Sequence, residues 1–149
     1  MVTSHSASPS YSAVSRVRRG RAAGALAIAA LCSALARFKP AGMAEAMFAL
    51  EGARCVSLGV RTPVMEIVRG AESQQIDIVA LSYSPVVTPY QVIESLKELR
   101  AQLPVATEVW AGGSSPVLQR RPPAGVRVLG KLDDVGPAVA GWRAEHRPA

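Results

Sequence analysis

The chain has 149 residues, 49% of them hydrophobic and 19% charged, enough for one folded domain and too apolar for a disordered chain. Two cysteines (Cys32, Cys55) and two histidines (His5, His146) exclude a disulfide-stapled mini-protein, give no Cys/His zinc spacing and argue against histidine-based catalysis. The net charge of +6 is local: residues 1–44 hold Arg16, Arg18, Arg19, Arg21, Arg37 and Lys39 and no acid, whereas the remainder is balanced, so the basic excess does not mark the main domain as a nucleic-acid binder.

Residues 1–15 are rich in Ser, Ala and Tyr without an apolar period, which predicts a disordered tail. Arg16–Arg21 is a short basic run. It reads as a solvated arm, or as a weak, nonspecific contact for phosphate or an acidic membrane surface. Ala22–Ala36 is continuously apolar but too short and too Ala-rich for a membrane span. Three readings stand side by side: a buried first strand or helix, the apolar region of an export signal, or a segment foreign to the native fold. The first makes the protein cytoplasmic; the second predicts cleavage after Ala36 and export.

From residue 41 the pattern is regular. Met43, Ala46, Met47 and Leu50 have helical spacing, and Gly52 suits a helix stop. Arg54–Leu58 predicts a short strand. Thr62-Pro63 predicts a helix start with Thr62 as cap, and the helix continues to about Gln75 with Val64, Ile67, Val68 and Ala71 inward. Ile76–Leu81 is a nearly continuous apolar strand, the pattern of a covered parallel sheet. Thr88-Pro89-Tyr90-Gln91 is a capping box, opening a helix to about Leu103 with Val92, Leu96 and Leu99 inward. Thr107–Ala111 predicts a strand closed by Gly112-Gly113, Val126–Leu129 a last strand, and Leu132–Glu145 a closing helix.

Such alternation predicts an α/β, doubly wound, flavodoxin-like parallel sheet of about five strands in the order 2-1-3-4-5, with Ala22–Ala36 as the first strand. Residues 1–21 form the tail and 22–149 the domain. Ligands of such folds sit beyond the carboxyl ends of the strands. There the sequence has no aspartate suited to phosphate transfer, no dinucleotide or P-loop glycine pattern and no nucleophile elbow. Glu66, Asp77, Glu94, Glu98, Asp133 and Asp134 form no carboxylate pair for acid–base work, so no enzyme activity is expected and no catalytic or metal-binding residue stands out. What remains is small and polar: Ser82-Tyr83-Ser84 after one strand and Gly112-Gly113-Ser114-Ser115 after the next. Small side chains admit a bulky ligand to the sheet edge, while hydroxyls and backbone N–H groups offer hydrogen bonds. They are equally the ordinary loop residues of an α/β fold. Cys55 reads as a small buried hydrophobe, and Trp110 as core.

Gly59, Thr62-Pro63, Ser82-x-Ser84 and Gly112-Gly113, in this order and spacing, resemble the second half of the cobalamin-binding flavodoxin-like domain. The text EGARCVSLGVRTPVMEIV, DIVALSYS, LKELRAQLP and VWAGG is similar to the C-terminal domain of MerR-type transcriptional regulators, over roughly residues 43–143. The resemblance implies that Ser82 hydrogen-bonds the nucleotide tail of cobalamin. It implies that Gly112 and Gly113 give the tail room, and that Gly59 and Thr62 line the rim. Ser84 stands where the family has Leu. The family's first motif, D-x-H-x-x-G, is not matched: its Asp, His and Gly fall on Leu35, Arg37 and Pro40, or, anchored on Gly42, its Asp and His fall on Arg37 and Lys39. The family uses that histidine as lower cobalt ligand; arginine cannot ligate, and the Lys39 ammonium has no lone pair to give at neutral pH.

Motif loss and charge imbalance share a boundary near residue 42, as in a truncated or frame-altered copy of such a domain. A winged helix-turn-helix needs an amphipathic helix pair, and residues 1–42 show none, so no DNA-binding domain is expected within the chain. The implied function is a corrinoid-binding regulatory domain, a partial or degenerate sensor, possible as a homo-oligomer. Two alternatives stand beside it: an α/β association module without cofactor, and a corrinoid carrier domain of a methyltransferase or mutase.

Overall fold

The computed structural model describes residues 15–16, 40–58 and 62–146. In chain order the elements are β1 (Ser15–Arg16), α1 (Pro40–Leu50), β2 (Arg54–Cys55), α2 (Val64–Ser73), β3 (Ile78–Tyr83), α3 (Pro89–Gln102), β4 (Glu108–Gly113), α4 (Val117–Arg120), β5 (Val126–Val128), a 3-10 turn at Leu132–Asp134, and α5 (Val135–Glu145).

The centre is a parallel ladder. Ile78 to Tyr83 pair in register with Glu108 to Gly113, and Val109 to Ala111 pair with Val126 to Val128. Alternate residues of β3 and β4 face opposite ways, and both faces are covered. Val79, Leu81, Tyr83, Val109 and Ala111 pack with α2, α3 and α4 through Ile67, Val68, Val92, Leu96, Leu99 and Leu118. Ile78 and Trp110 pack on the other side with Phe48 of α1 and with Val135, Val139 and Trp142 of α5. Two covered faces are the reason that β3 reads as an unbroken apolar run, IVAL, before its polar end. The architecture is a mixed α/β arrangement around three parallel strands.

The fringe of the sheet differs from expectation. β1 is a two-residue segment, antiparallel both to β2 and, through Ser15 and Ile78, to β3. A five-stranded flavodoxin-like order requires a parallel strand at that place. Ala22–Ala36, expected as that strand, lies outside the described residues, as do the tail residues 1–14 and Arg18, Arg19 and Arg21.

Boundaries shift for identifiable reasons. β3 and β4 both run to their glycine–tyrosine rung, so Ser82, Gly112 and Gly113 lie within strands rather than after them. In α1 the buried face belongs to Phe48, while Met43 and Leu50 are exposed, because β2 and α5 approach from the Phe48 side. α1 ends as predicted at Gly52 (φ +73°): Gly52 N–H donates to the Ala49 carbonyl and Ala53 N–H to that of Phe48, a Schellman closure. Thr62 does not cap α2. Pro63 takes the cap position, and the Thr62 hydroxyl turns back to donate to the Leu58 carbonyl at 2.7 Å. The Thr88–Gln91 capping box forms as predicted, and α3 buries Val92, Leu96 and Leu99. The closing helix begins as a 3-10 turn, and the short α4 has no sequence signal.

Gly113 sets the end of the ladder. Its φ is +103°, and a Cβ there would meet the Tyr83 carbonyl oxygen at 2.3 Å and the Tyr83 nitrogen at 2.7 Å. A Cβ on Gly112 would meet the nearest atom, the Leu129 carbonyl oxygen, at 3.3 Å, with no unfavourable φ. Gly113→Ala is therefore expected to destabilise the fold by about 2–5 kcal/mol through strain and overpacking, against about 1 kcal/mol or less for Gly112→Ala. Urea unfolding of the two variants measures the difference, and equal losses would contradict this role for Gly113.

Candidate functional site

The carboxyl ends of β3 and β4 bring Ser82 and Gly112 together. They are register partners one rung before the ladder ends, on the face that α1 and α5 cover. Both are half-buried. The Ser82 hydroxyl has no hydrogen-bond partner among the described residues; a hydroxyl carries one donor and two acceptor lone pairs. Leu129, just beyond β5, lies beside them: its N–H donates to the Ala111 carbonyl at 2.8 Å, and its own carbonyl faces Gly112. The Asp134 carboxylate accepts the Lys131 backbone N–H at 2.9 Å and so fixes the turn that follows β5. The rim of the sheet here consists of a hydroxyl, a position without a side chain and backbone carbonyls. It can hydrogen-bond a neutral polar ligand. Among the described residues it holds no nucleophile–base pair and no paired carboxylates.

The other predicted positions behave differently. The Ser84 hydroxyl accepts the Val86 N–H at 3.2 Å, and its carbonyl accepts the Val87 N–H, so Ser84 shapes the turn into α3. The Thr62 hydroxyl is engaged with Leu58. Gly113 has its missing side chain directed at the Tyr83 backbone on the opposite face; the space it gives up is taken by the protein itself. Gly59 lies outside the described residues. Between Ser82 and Ser84 stands Tyr83, buried, with its hydroxyl 2.9 Å from Ser95. Ser95 donates to the Val92 carbonyl at 3.0 Å, so the Tyr83 hydroxyl is the donor of that pair. This bond locks the strand to α3, and it holds the backbone that presents Ser82.

A second polar cluster lies at the opposite end of the sheet. The indole N–H of Trp110 donates to Glu108 at 2.6 Å. Arg127 approaches Glu108 and Glu145 at 3.7 and 3.8 Å and lies over the Trp110 ring, 5.1 Å from its centre. His146 stacks on Trp142 with ring centres 4.5 Å apart, and its Nδ1 lies 2.8 Å from the Trp142 carbonyl. An open depression of about 430 Å³ adjoins it, lined among others by Arg100, Val109, Gly125 and Val126 with Glu108 and Arg127. Sequence reasoning did not find this cluster. Its members are separated by up to 38 positions, and Glu145 and His146 sit at a chain end where no spacing rule reaches Glu108.

No helix among the described residues is long and apolar enough to cross a membrane. Compared with family models, with curated proteins and with solved structures, the chain gives no significant match.

Cys55, on β2, packs at the edge of the Trp110 side of the core and directs its thiol at the Glu45 carbonyl, 3.6 Å away. Burial, with the Glu45 carboxylate adding to it, pushes the thiol up from 9.0 to about 12. A neutral thiol is a poor nucleophile. In a Cys32→Ser background, Cys55 is expected to resist alkylation at pH 8 in the folded protein and to react on unfolding in urea. The raised value also has a sign for stability. Between pH 9.0 and about 12 the unfolded chain gives up the Cys55 proton and the folded chain retains it, so stability falls as pH rises across that window. Replacing Cys55 by Ala removes this contribution to the alkaline decline. Equal alkylation rates in folded and unfolded protein would refute the assignment.

Proposed function

We propose that the chain is a corrinoid-binding regulatory domain without enzymatic activity. In this reading it is a partial relative of the cobalamin-sensing domain that MerR-type regulators carry, with a flavodoxin-like sheet and a place in the cytoplasm. The observation that carries the reading is the pairing of Ser82 with Gly112. A half-buried hydroxyl with no partner among the described residues stands beside a residue with no side chain, on adjacent carboxyl ends of a parallel sheet. These are two positions that the resemblance assigns to the cobalamin nucleotide tail. Ser82 supplies a hydrogen bond, and Gly112 lets the tail lie close to the sheet. Gly113 and Ser84 support the rim from behind, through the Tyr83 backbone and the turn into α3. Thr62 and Gly59 would border the rim on the side of α2.

Titration of the full chain with hydroxocobalamin and with adenosylcobalamin, followed by gel filtration and visible spectroscopy, tests this. About one corrinoid per chain is expected to co-elute, and Ser82→Leu, which fills the space beside Gly112, is expected to lose it with its circular dichroism unchanged. A folded wild-type protein that retains no corrinoid would leave the association module as the better account.

A further inference from the structure

We propose that Glu108, Glu145 and His146 form a binding site for a divalent transition-metal ion such as Zn²⁺, at the end of the sheet away from Ser82 and Gly112. One carboxylate oxygen of Glu108, one of Glu145 and one ring nitrogen of His146 lie within 4.8 Å of one another. Zinc bonds to nitrogen and oxygen of about 2.0–2.2 Å place tetrahedral ligands about 3.4 Å apart, so the site must close by little more than an ångström. Glu145 is an exposed side chain at the end of α5, able to supply that movement by a rotamer change.

The surroundings orient the ligands. The Trp142 carbonyl only accepts hydrogen bonds, so a neutral His146 carries its proton on Nδ1, and the lone pair stands on Nε2. Stacking on Trp142 fixes the plane of the ring. Glu108 is held by the Trp110 indole N–H, which donates to Oε2, the oxygen that Arg127 also approaches. An imidazole oriented by a backbone carbonyl and a carboxylate oriented by a donor are the outer contacts that metal ligands use. One nitrogen and two oxygens suit Zn²⁺ and its neighbours in the first transition row better than Mg²⁺ or Ca²⁺, which take all-oxygen cages. Three protein ligands leave a coordination position for water or an anion.

Arg127 stands between the two carboxylates as their counter-ion. Its distances of 3.7 and 3.8 Å exceed the 2.7–2.9 Å or so of a charge-assisted hydrogen bond, so the pairs are loose. An incoming cation displaces the guanidinium from the carboxylates, and the face of Trp110 retains it. The arginine and the metal thus compete for the same charge, which separates a metal site from a plain ion-pair network.

The test is a titration of the untagged full chain with Zn²⁺ against a chromophoric chelator, together with the absorption spectrum of the Co²⁺ form. One Zn²⁺ per chain is expected, with a Co²⁺ spectrum free of thiolate charge transfer. His146→Ala and Glu145→Gln are expected to weaken binding by about tenfold or more, His5→Ala to leave it unchanged, and Arg127→Gln to tighten it. Far-UV circular dichroism verifies the fold of each variant, and Glu145→Gln, an isosteric change at an exposed position, decides the case if His146→Ala misfolds. Binding that survives Glu145→Gln, follows His5 or a cysteine, or is absent from the folded chain overturns the proposal. So does a folded Arg127→Gln protein that binds more weakly.

Discussion

The close approach of β3 to β4 at the Tyr83–Gly113 rung is the constraint on which the rest depends. Parallel strands in register normally keep a Cβ on each residue. Here the last rung brings the Tyr83 backbone to where a Cβ on residue 113 would stand, and only glycine at φ +103° permits it. That contact carries the ladder one rung past Ser82 and Gly112, so both are held as strand residues. A loop would present the same residues with far less definition. The Ser114 N–H, donating to the Tyr83 carbonyl at 3.0 Å, continues the contact into the turn. The Tyr83–Ser95 bond ties it to α3. The rim is therefore built from the core outward, and the Ser82 hydroxyl sits within the paired ladder rather than on a loop.

The opposite end of the ladder is held by charge and aromatic surface. Trp110 is buried, and its indole N–H would be costly to leave unpaired. Glu108 satisfies it from two residues earlier on the same strand. A carboxylate placed there for that purpose also needs a cation, and Arg127 arrives from β5, registered with Trp110 in the ladder. α5 then brings Glu145 and His146 to the same spot through Val139 and Trp142, while Arg143 donates to the Glu51 carbonyl and ties α5 to α1. The exposed ion pairs in this network contribute little to stability on their own. They surround the one indole N–H of the cluster that finds a partner, that of Trp110; the Trp142 indole N–H, also buried, has none among the described residues.

Much of the helix–strand order was legible from short-range signals. The Thr88–Gln91 capping box, the Gly52 stop and the IVAL run each act within a few residues, and each appears where the pattern places it. Ser82 and Gly112 were legible as small residues near strand ends, but their pairing is a matter of register, which the sequence does not write locally. Thr62 and Ser84 read as rim residues, and the use the structure shows for their hydroxyls, a bond to the nearest backbone beside a turn, is one that residue type does not tell from ligand binding. The Glu108–Glu145–His146 cluster was not legible at all, because it is assembled by three elements and no motif spacing spans them.

The two ends of the sheet also bear on the lower axial ligand of any bound corrinoid. In the flavodoxin-like order the strand beside β3 leads into the loop that carries the family's Asp and His. Among the described residues β3 is paired along its whole length with β4, but on its other side only at Ile78, by an antiparallel bridge to β1. The register of the family's motif puts no Asp or His near that edge. His146 is the sole histidine among the described residues, and it lies by Glu108, five residues and about 17 Å along β4 from Gly113. It cannot reach a corrinoid seated over Ser82 and Gly112. A corrinoid held at that rim therefore takes no imidazole from the described part of the fold. The visible spectrum of such a complex would be the direct readout of its axial ligand.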